Sequence, residues 1–232
     1  MYKAFEKLEL PALTFHINNR KLLNGFFQSL EIDDTTEVLR TIDKKDKIGI
    51  EKTQSLLSEI VGLDKAKEIL AFIQNPAAGH KLIESLKEFD GNDLYKDGLE
   101  ELAIVYDYML AFGVPEANIK IDLAITRGLD YYTSTVYETF INGYESIGSV
   151  CSGGRYENLT GNFSKQNLPG VGMSIGLTRL FYQLQELGLV EKMQGANTDV
   201  LVLPMDPSLH IYAIEVLKEI KAKGLKAVYV CL

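Results

Sequence analysis

Hydrophobic and polar positions alternate with two different periods along this chain, and the change of period divides it. LTFHIN (13–18) reads as a short strand. Leu22, Leu23, Phe26, Phe27 and Leu30 then share one helical face, with Asn18 or Asn19 placed to cap it. From about residue 31 to 113 the spacing stays helical and charged. Helices are predicted over about 34–43, 51–73 with a break near Gly62, 79–89 and 92–112. Their stops are Lys47–Gly49, Asn75–Pro76, Asp90–Gly91 and Gly113–Pro115. At Ile119, Ile121, Leu123 and Ile125 the period drops to two, the mark of a strand. TSTVYETFI (133–141) continues in β character, NGYESIG resembles a hairpin connection, and VGMSIG (171–176) reads as a strand. Leu177, Leu180, Phe181, Leu184 and Leu187 follow as a helical stripe. QGANT (194–198) reads as a linker. DVLVLPM, SLHIYAIEVLKEIKAKG and LKAVYVC then form one parallel βαβ unit.

The predicted organisation is α+β: a strand–helix segment over 1–30, a helical domain over 31–115, a β-rich segment over 116–193, and the first βαβ of an α/β domain over 198–232. Such a βαβ of about 35 residues rarely holds a core alone, so the chain reads as ending inside a domain.

Composition narrows the chemistry. The 232 residues include 46% hydrophobic residues, enough for a core, and a net charge of −8 that disfavours indiscriminate binding to nucleic-acid phosphates. Two cysteines, Cys151 and Cys231, exclude a disulfide scaffold and point to a reducing, cytoplasmic setting. The histidines His16, His80 and His210 are scattered and no HExxH occurs, so no protein-bound metal is expected. No apolar run approaches the 18 residues of a membrane span, and no membrane partner is expected.

Eight of the 19 glycines fall between Gly143 and Gly176, so backbone can approach a ligand closely there. Three of the five arginines, Arg127, Arg155 and Arg179, sit in the same region, beside tyrosines 131, 132, 137, 144 and 156. Arginine forks suit carboxylate and phosphate. Composition alone leaves two readings open: a pocket for a small phosphate-bearing ligand, or a glycine-rich meander with solvated arginines. GVGMSIG (170–176) is one residue too long for a dinucleotide fingerprint. GMSIG (172–176) matches a nucleophile elbow, but QNLPG is a poor strand to lead into one. Cys151 is expected to be a small buried residue, and His210 a helix-face residue.

TRGLDYYTSTVYE (126–138) resembles the first signature of histidyl-tRNA synthetases, R-G-L-D-Y-Y-x-x-T-[VA]-[FY]-E. SVCSGGRYENLTGNFSKQNLPGVGMSIGLTRL (149–180) resembles their second signature running into motif 3 of class II synthetases. LTFHINNRKLLNGFF (13–27) is similar to a stretch upstream of the family's insertion domain, and the terminal βαβ to the start of its anticodon-binding domain. The resemblance implies a partial class II antiparallel-sheet catalytic core. It also implies a ligase that activates histidine with ATP, Mg²⁺ accompanying the ATP, and passes it to tRNA(His). By motif position, Arg127 would contact the α-phosphate and the histidine carboxylate as the catalytic residue. Tyr131, Tyr132, Gly153, Gly154 and Tyr156 would shape the histidine pocket, while Gly176 and Arg179 would serve ATP. The insertion would face the tRNA acceptor arm, and the full-length protein would be a homodimer.

Thr178 stands where the family usually has an acidic residue before the motif 3 arginine. No motif 1 or motif 2 is found; both would lie upstream of residue 1. The resemblance therefore implies a middle-to-late piece of the enzyme, inactive alone. The competing implication is a synthetase-like regulatory subunit of histidine biosynthesis that binds histidine without charging tRNA. The intact RGLDYY and SGGRY blocks argue against it.

Overall fold

The computed structural model describes residues 1–32, 34–125, 132–157, 159–162, 168–188, 190 and 198–230. The chain separates into two compact units, Met1–Leu180 and Phe181–Leu232.

The first unit opens with a short helix, α1 (Tyr2–Lys7), whose Phe5 is buried. It is followed by β1 (Leu13–Asn19) and α2 (Arg20–Ser29). Asn19 decides where the strand becomes a helix, because its side-chain oxygen accepts from the Lys21 backbone N–H. Leu22, Leu23, Phe26 and Phe27 form the buried face of α2, as their spacing predicts. The helical block continues through α3 (Thr36–Asp43), α4 (Lys45–Ile48), α5 (Ile50–Val61), α6 (Leu63–Ile73), α7 (Gly79–Lys87) and α8 (Asp93–Ala111). The break at Gly62 is real: its φ of +87° suits glycine and ends α5. Spacing missed α1 and α4, which have too few turns for a periodic signal to accumulate.

α2 and α8 pack backbone to backbone. A β-carbon on Gly98 would lie 2.2 Å from the Leu22 nitrogen, and one on Gly25 2.3 Å from the Tyr95 nitrogen. Around this contact runs one hydrophobic core. It includes Leu22, Phe26 and Phe27 of α2, Ile69 of α6, Leu102 and Tyr106 of α8, and Ile17, Ile119 and Ile121 from strands.

The strands are β2 (Ile119–Ile121), β3 (Tyr132–Ile141), β4 (Cys151–Tyr156) and β5 (Gly170–Ile175), in the sheet order β2-β1-β3-β4-β5. The β1–β2 pair is parallel and the other three are antiparallel. The alternating run 119–125 thus yields a strand of only three residues. The Asp122 backbone N–H still bonds to the Ile17 carbonyl, but the Asp122 side chain then accepts from the Ala124 N–H and turns the chain. Leu123 and Ile125 are buried without belonging to a strand. Residues 142–150 connect β3 to β4, with Gly143 and Gly148 both at positive φ. Helix α9 (Leu177–Glu186) follows β5; Leu180 is buried, whereas Leu177 and Phe181 are exposed.

The second unit contains β6 (Val200–Val202), α10 (His210–Ala222) and β7 (Ala227–Tyr229), with β6 and β7 parallel. His210 opens α10 and contacts the Tyr229 hydroxyl. The predicted linker lies outside the described residues apart from Thr198. Among the described residues no helix is long and apolar enough to cross a membrane.

Candidate functional site

Register builds the site. Lys120, His16, Glu138, Ser152 and Ser174 are aligned partners across all five strands. The neighbouring row is Ile121, Ile17, Tyr137, Gly153 and Met173. Successive residues of a strand point to opposite faces, so one face carries the polar row and the other the mostly apolar one. Ile17, Ile121 and Tyr137 join the helical core, which leaves the polar row on the face away from it.

On that polar face a further row runs Asn18, Val136, Gly154 and Gly172, and beyond it Tyr132 pairs with Tyr156, which pairs with Gly170. The tyrosine rings lie on glycine. A β-carbon on Gly154 would meet the Tyr132 ring at 2.8 Å, and one on Gly170 the Tyr156 ring at 2.7 Å. A bulge between Tyr132 and Val136 makes room for this pair of rings. Gly154 is therefore glycine because a tyrosine ring occupies its side-chain space. Gly153 points to the opposite face, where a β-carbon would strike the Gly172 carbonyl at 2.2 Å and the Tyr137 hydroxyl at 2.4 Å. Burial, with smaller contributions from Cys151 and Tyr132, pushes the Tyr137 phenol up to about 12, so it stays neutral.

A groove of about 360 Å³ runs from Ser149–Ser152 past Ser174 to Gly176–Arg179. Arg179, exposed on the first turn of α9, donates from Nη1 to the Ser149 carbonyl at 2.9 Å. That bond uses one donor of its fork. The N-terminal residues of α9 line the same groove, and helix N-terminal N–H groups and a guanidinium both favour phosphate. Gly176 has space: a β-carbon there would lie 3.6 Å from the Arg179 Cβ.

A larger cavity of about 600 Å³ meets the other end of the polar row, with His16, Lys120, Asp122, Glu138 and Phe140 in its wall. His16 Nδ1 lies 2.9 Å and Lys120 Nζ 3.1 Å from the same Asp122 oxygen. Burial alone would raise the Asp122 carboxyl. The bond to His16 and the charge of Lys120 overcome it and hold the group well below the usual carboxylate range. A second polar cluster anchors the strand that carries Tyr132. Glu101 of α8 accepts from Lys21 at 2.7 Å, from Asn19 at 2.9 Å and from the Ser134 hydroxyl. Burial opposes ionisation of Glu101, but these three donors lower its pKa.

Of the residues predicted for the site, Tyr132, Gly154 and Tyr156 come together on one face. Gly176 and Arg179 line the groove at the other end of β4, and Gly153 faces the other way. Arg127 and Tyr131 lie outside the described residues, as does Cys231. Ser174 lies within β5, paired with Ser152, rather than on a sharp turn, so GMSIG is no nucleophile elbow. Cys151 is a buried thiol whose pKa burial raises. His16, Glu138 and Ser152 were not singled out, although alternation within 132–140 and 151–156 places Glu138 and Ser152 on the face of Tyr132 and Tyr156. Finding His16 required the β1–β3 pairing, which no local pattern reveals.

The sequence model of the family described as histidyl-tRNA synthetase matches residues 1–180. The histidine–tRNA ligase of Finegoldia magna is 51% identical over 208 residues, 88% of this chain and 48% of that protein. That of Clostridium tetani is 47% identical over 225 residues, 95% of this chain and 51% of that protein. The crystal structure of the histidyl-tRNA synthetase from Nostoc sp. PCC 7120 covers all of this chain with a TM-score of 0.79 at 35% identity, using 55% of its own length. A Bacillus halodurans protein described as an ATP phosphoribosyltransferase regulatory subunit/histidyl-tRNA synthetase shares the fold, with a TM-score of 0.65 at 20% identity. The chain thus spans about half the length of the curated relatives it matches. With 180 of its residues under the family model and relatives at 47% and 51% identity, the chain belongs to the histidyl-tRNA synthetase family.

Proposed function

We propose that this chain carries the histidine- and ATP-facing sheet of a histidine–tRNA ligase, which activates histidine to histidyl-adenylate and transfers it to tRNA(His). The observation that carries the reading is the pairing of Tyr132 with Tyr156, one from each signature block, with Tyr156 on the strand, β4, whose other end lines the groove of Arg179. In this reading Tyr132 and Tyr156 close on the histidine side chain over a glycine floor. Arg179 and the start of α9 hold the ATP phosphates, with Mg²⁺ arriving on the nucleotide. Arg127 stabilises the charge that develops as pyrophosphate leaves, and Tyr131 belongs to the histidine pocket. The helical block faces the tRNA acceptor arm, and the working enzyme is a cytoplasmic homodimer. The regulatory reading has weaker support, because its resemblance rests on fold while the relatives at 47% and 51% identity are ligases.

The test is thermal unfolding with each of the twenty amino acids, with and without Mg²⁺–ATP, alongside tRNA charging. A histidine-specific rise in Tm that grows with ATP is expected, because a ligand that binds only the folded state stabilises it by mass action. A preference for another amino acid overturns the assignment. No stretch matching motif 2 occurs in the 232 residues, and the purified chain is expected not to charge tRNA.

A further inference from the structure

Strict alternation along β3 breaks where the tyrosine platform begins. From Tyr132 to Val136 the strand takes four steps, while β4 takes two, from Tyr156 to Gly154. The bulge therefore carries two extra residues. By parity Ser134 would share the face of Tyr132 and Val136. Its hydroxyl instead donates to Glu101 of α8, beside the Asn19 amide. That carboxylate lies on the other face. Ile17 shares the helical core with Leu102 of α8, and Asn19 has the parity of Ile17. The bulge thus turns Ser134 through the sheet, between Tyr132 and Thr135.

This turn makes the seat of the tyrosine ring. A β-carbon on Gly154 would meet the Thr135 carbonyl at 2.8 Å as well as the Tyr132 ring, so backbone and ring of the bulge fill that space together. The bulge is not held by its own residues. Thr133 has a buried hydroxyl with no hydrogen-bond partner among the described residues, and the Ser134 hydroxyl is buried and needs an acceptor. Glu101 supplies it. Lys21 occupies Oε1 at 2.7 Å, which leaves Oε2 to accept from Ser134 and, at 2.9 Å, from Asn19. Asn19 is itself fixed, because its Oδ1 caps α2.

We propose that Glu101 is a positioning residue of the histidine pocket: from the helical block it holds Ser134 on the far side of the sheet and so keeps the Tyr132 ring on Gly154. The assignment rests on the reading of Tyr132 as a histidine-pocket residue. Glu101 touches neither ring and acts through Ser134 and Asn19. Without the carboxylate the Ser134 hydroxyl has no acceptor on that face. The bulge then relaxes towards ordinary alternation, and Tyr132 leaves its register opposite Tyr156.

Fluorine NMR on the chain grown with 3-fluorotyrosine tests it, with Tyr132→Phe identifying the Tyr132 resonance. Ser134→Ala removes the donor and Glu101→Leu the acceptor, and both are expected to shift that resonance. Both are also expected to weaken histidine binding, read by calorimetric titration, at least about tenfold, since misplacing a contact by about 1 Å costs that much or more. Glu101→Gln keeps a carbonyl oxygen at the same reach and is expected to restore both readings towards wild type. Leu57→Ala opens a cavity at a buried position of α5 and is expected to lower Tm while moving neither reading. A Tyr132 resonance indifferent to both Ser134→Ala and Glu101→Leu overturns the inference, as does one that Leu57→Ala moves equally far. A resonance that follows Ser134 and Glu101 in a chain that binds no histidine supports the positioning role and tells against the histidine reading.

Discussion

Gly98→Ala tests whether α2 and α8 are held at the separation described. The added methyl would sit 2.2 Å from the Leu22 nitrogen, 2.7 Å from its Cα and 2.8 Å from the Lys21 carbonyl carbon. All three are backbone atoms, so no rotamer change relieves the contact. Reaching ordinary contact beyond 3.4 Å requires the helices to part by about an ångström. Parting them loosens the packing of Leu22, Leu102 and Tyr95, all nearly inaccessible to solvent. Overpacking of this kind costs about 1–3 kcal/mol and more when backbone must move. Against it stands the helix-propensity gain of alanine over glycine, about 0.8–1.0 kcal/mol. The packing cost wins, leaving a net loss of about 1–2 kcal/mol. For a chain of this size that lowers Tm by about 2–8 °C, at roughly 2–4 °C per kcal/mol. Calorimetry on wild type and variant reads it directly. An unchanged or raised Tm would show that propensity dominates, and would refute the close helix contact.

Three further outcomes follow from the polar clusters and the glycines. Glu101→Ala strands the buried Asn19 amide and Ser134 hydroxyl and should cost about 1–3 kcal/mol in urea unfolding; an unaltered midpoint would refute the anchoring role. Asp122 has a depressed native pKa, so its ionised form contributes stability that is complete above about pH 4 and fades as pH falls below it. Asp122→Asn should therefore destabilise at pH 7 and flatten the stability loss below pH 4, and parallel pH profiles would contradict this. Gly153→Ala should disrupt the sheet, because its β-carbon meets the Gly172 carbonyl, whereas Gly176→Ala should fold with Tm within about 1 °C of wild type. Comparing near-ultraviolet circular dichroism with Tm for the two variants checks both.

Much of this fold is written in local pattern, and the exceptions have physical causes. The α2 face, the break at Gly62 and the strands β3 and β5 follow from periodicity and punctuation. The strand expected over 119–125 stops at Ile121 because Asp122 binds His16 and Lys120 and caps a turn. Alternating hydrophobicity reports burial, and Leu123 and Ile125 are buried outside any strand. Among the candidate site residues, Tyr132, Tyr156 and Arg179 were legible from the signature blocks. The reason for Gly154 was not, since its neighbour is a tyrosine ring from the adjacent strand. His16 escaped notice because its place opposite Glu138 depends on pairing across more than a hundred residues.

That pairing carries a consequence for how the chain is made. β1 finds its partners only in β2 and β3: Phe15 aligns with Ile119, and Leu13 with Ile141. At a ribosomal rate of about 5–20 residues per second, β1 waits on the order of 10 s for the strands it needs. During that interval α2 through α8 emerge, and these are the elements that bury Ile17 on the helix side of the sheet. The helical block thus reaches solvent first and shields the early strand's apolar face. The polar face can take shape only after Tyr156 has left the ribosome, so vectorial synthesis builds the scaffold before it builds the site.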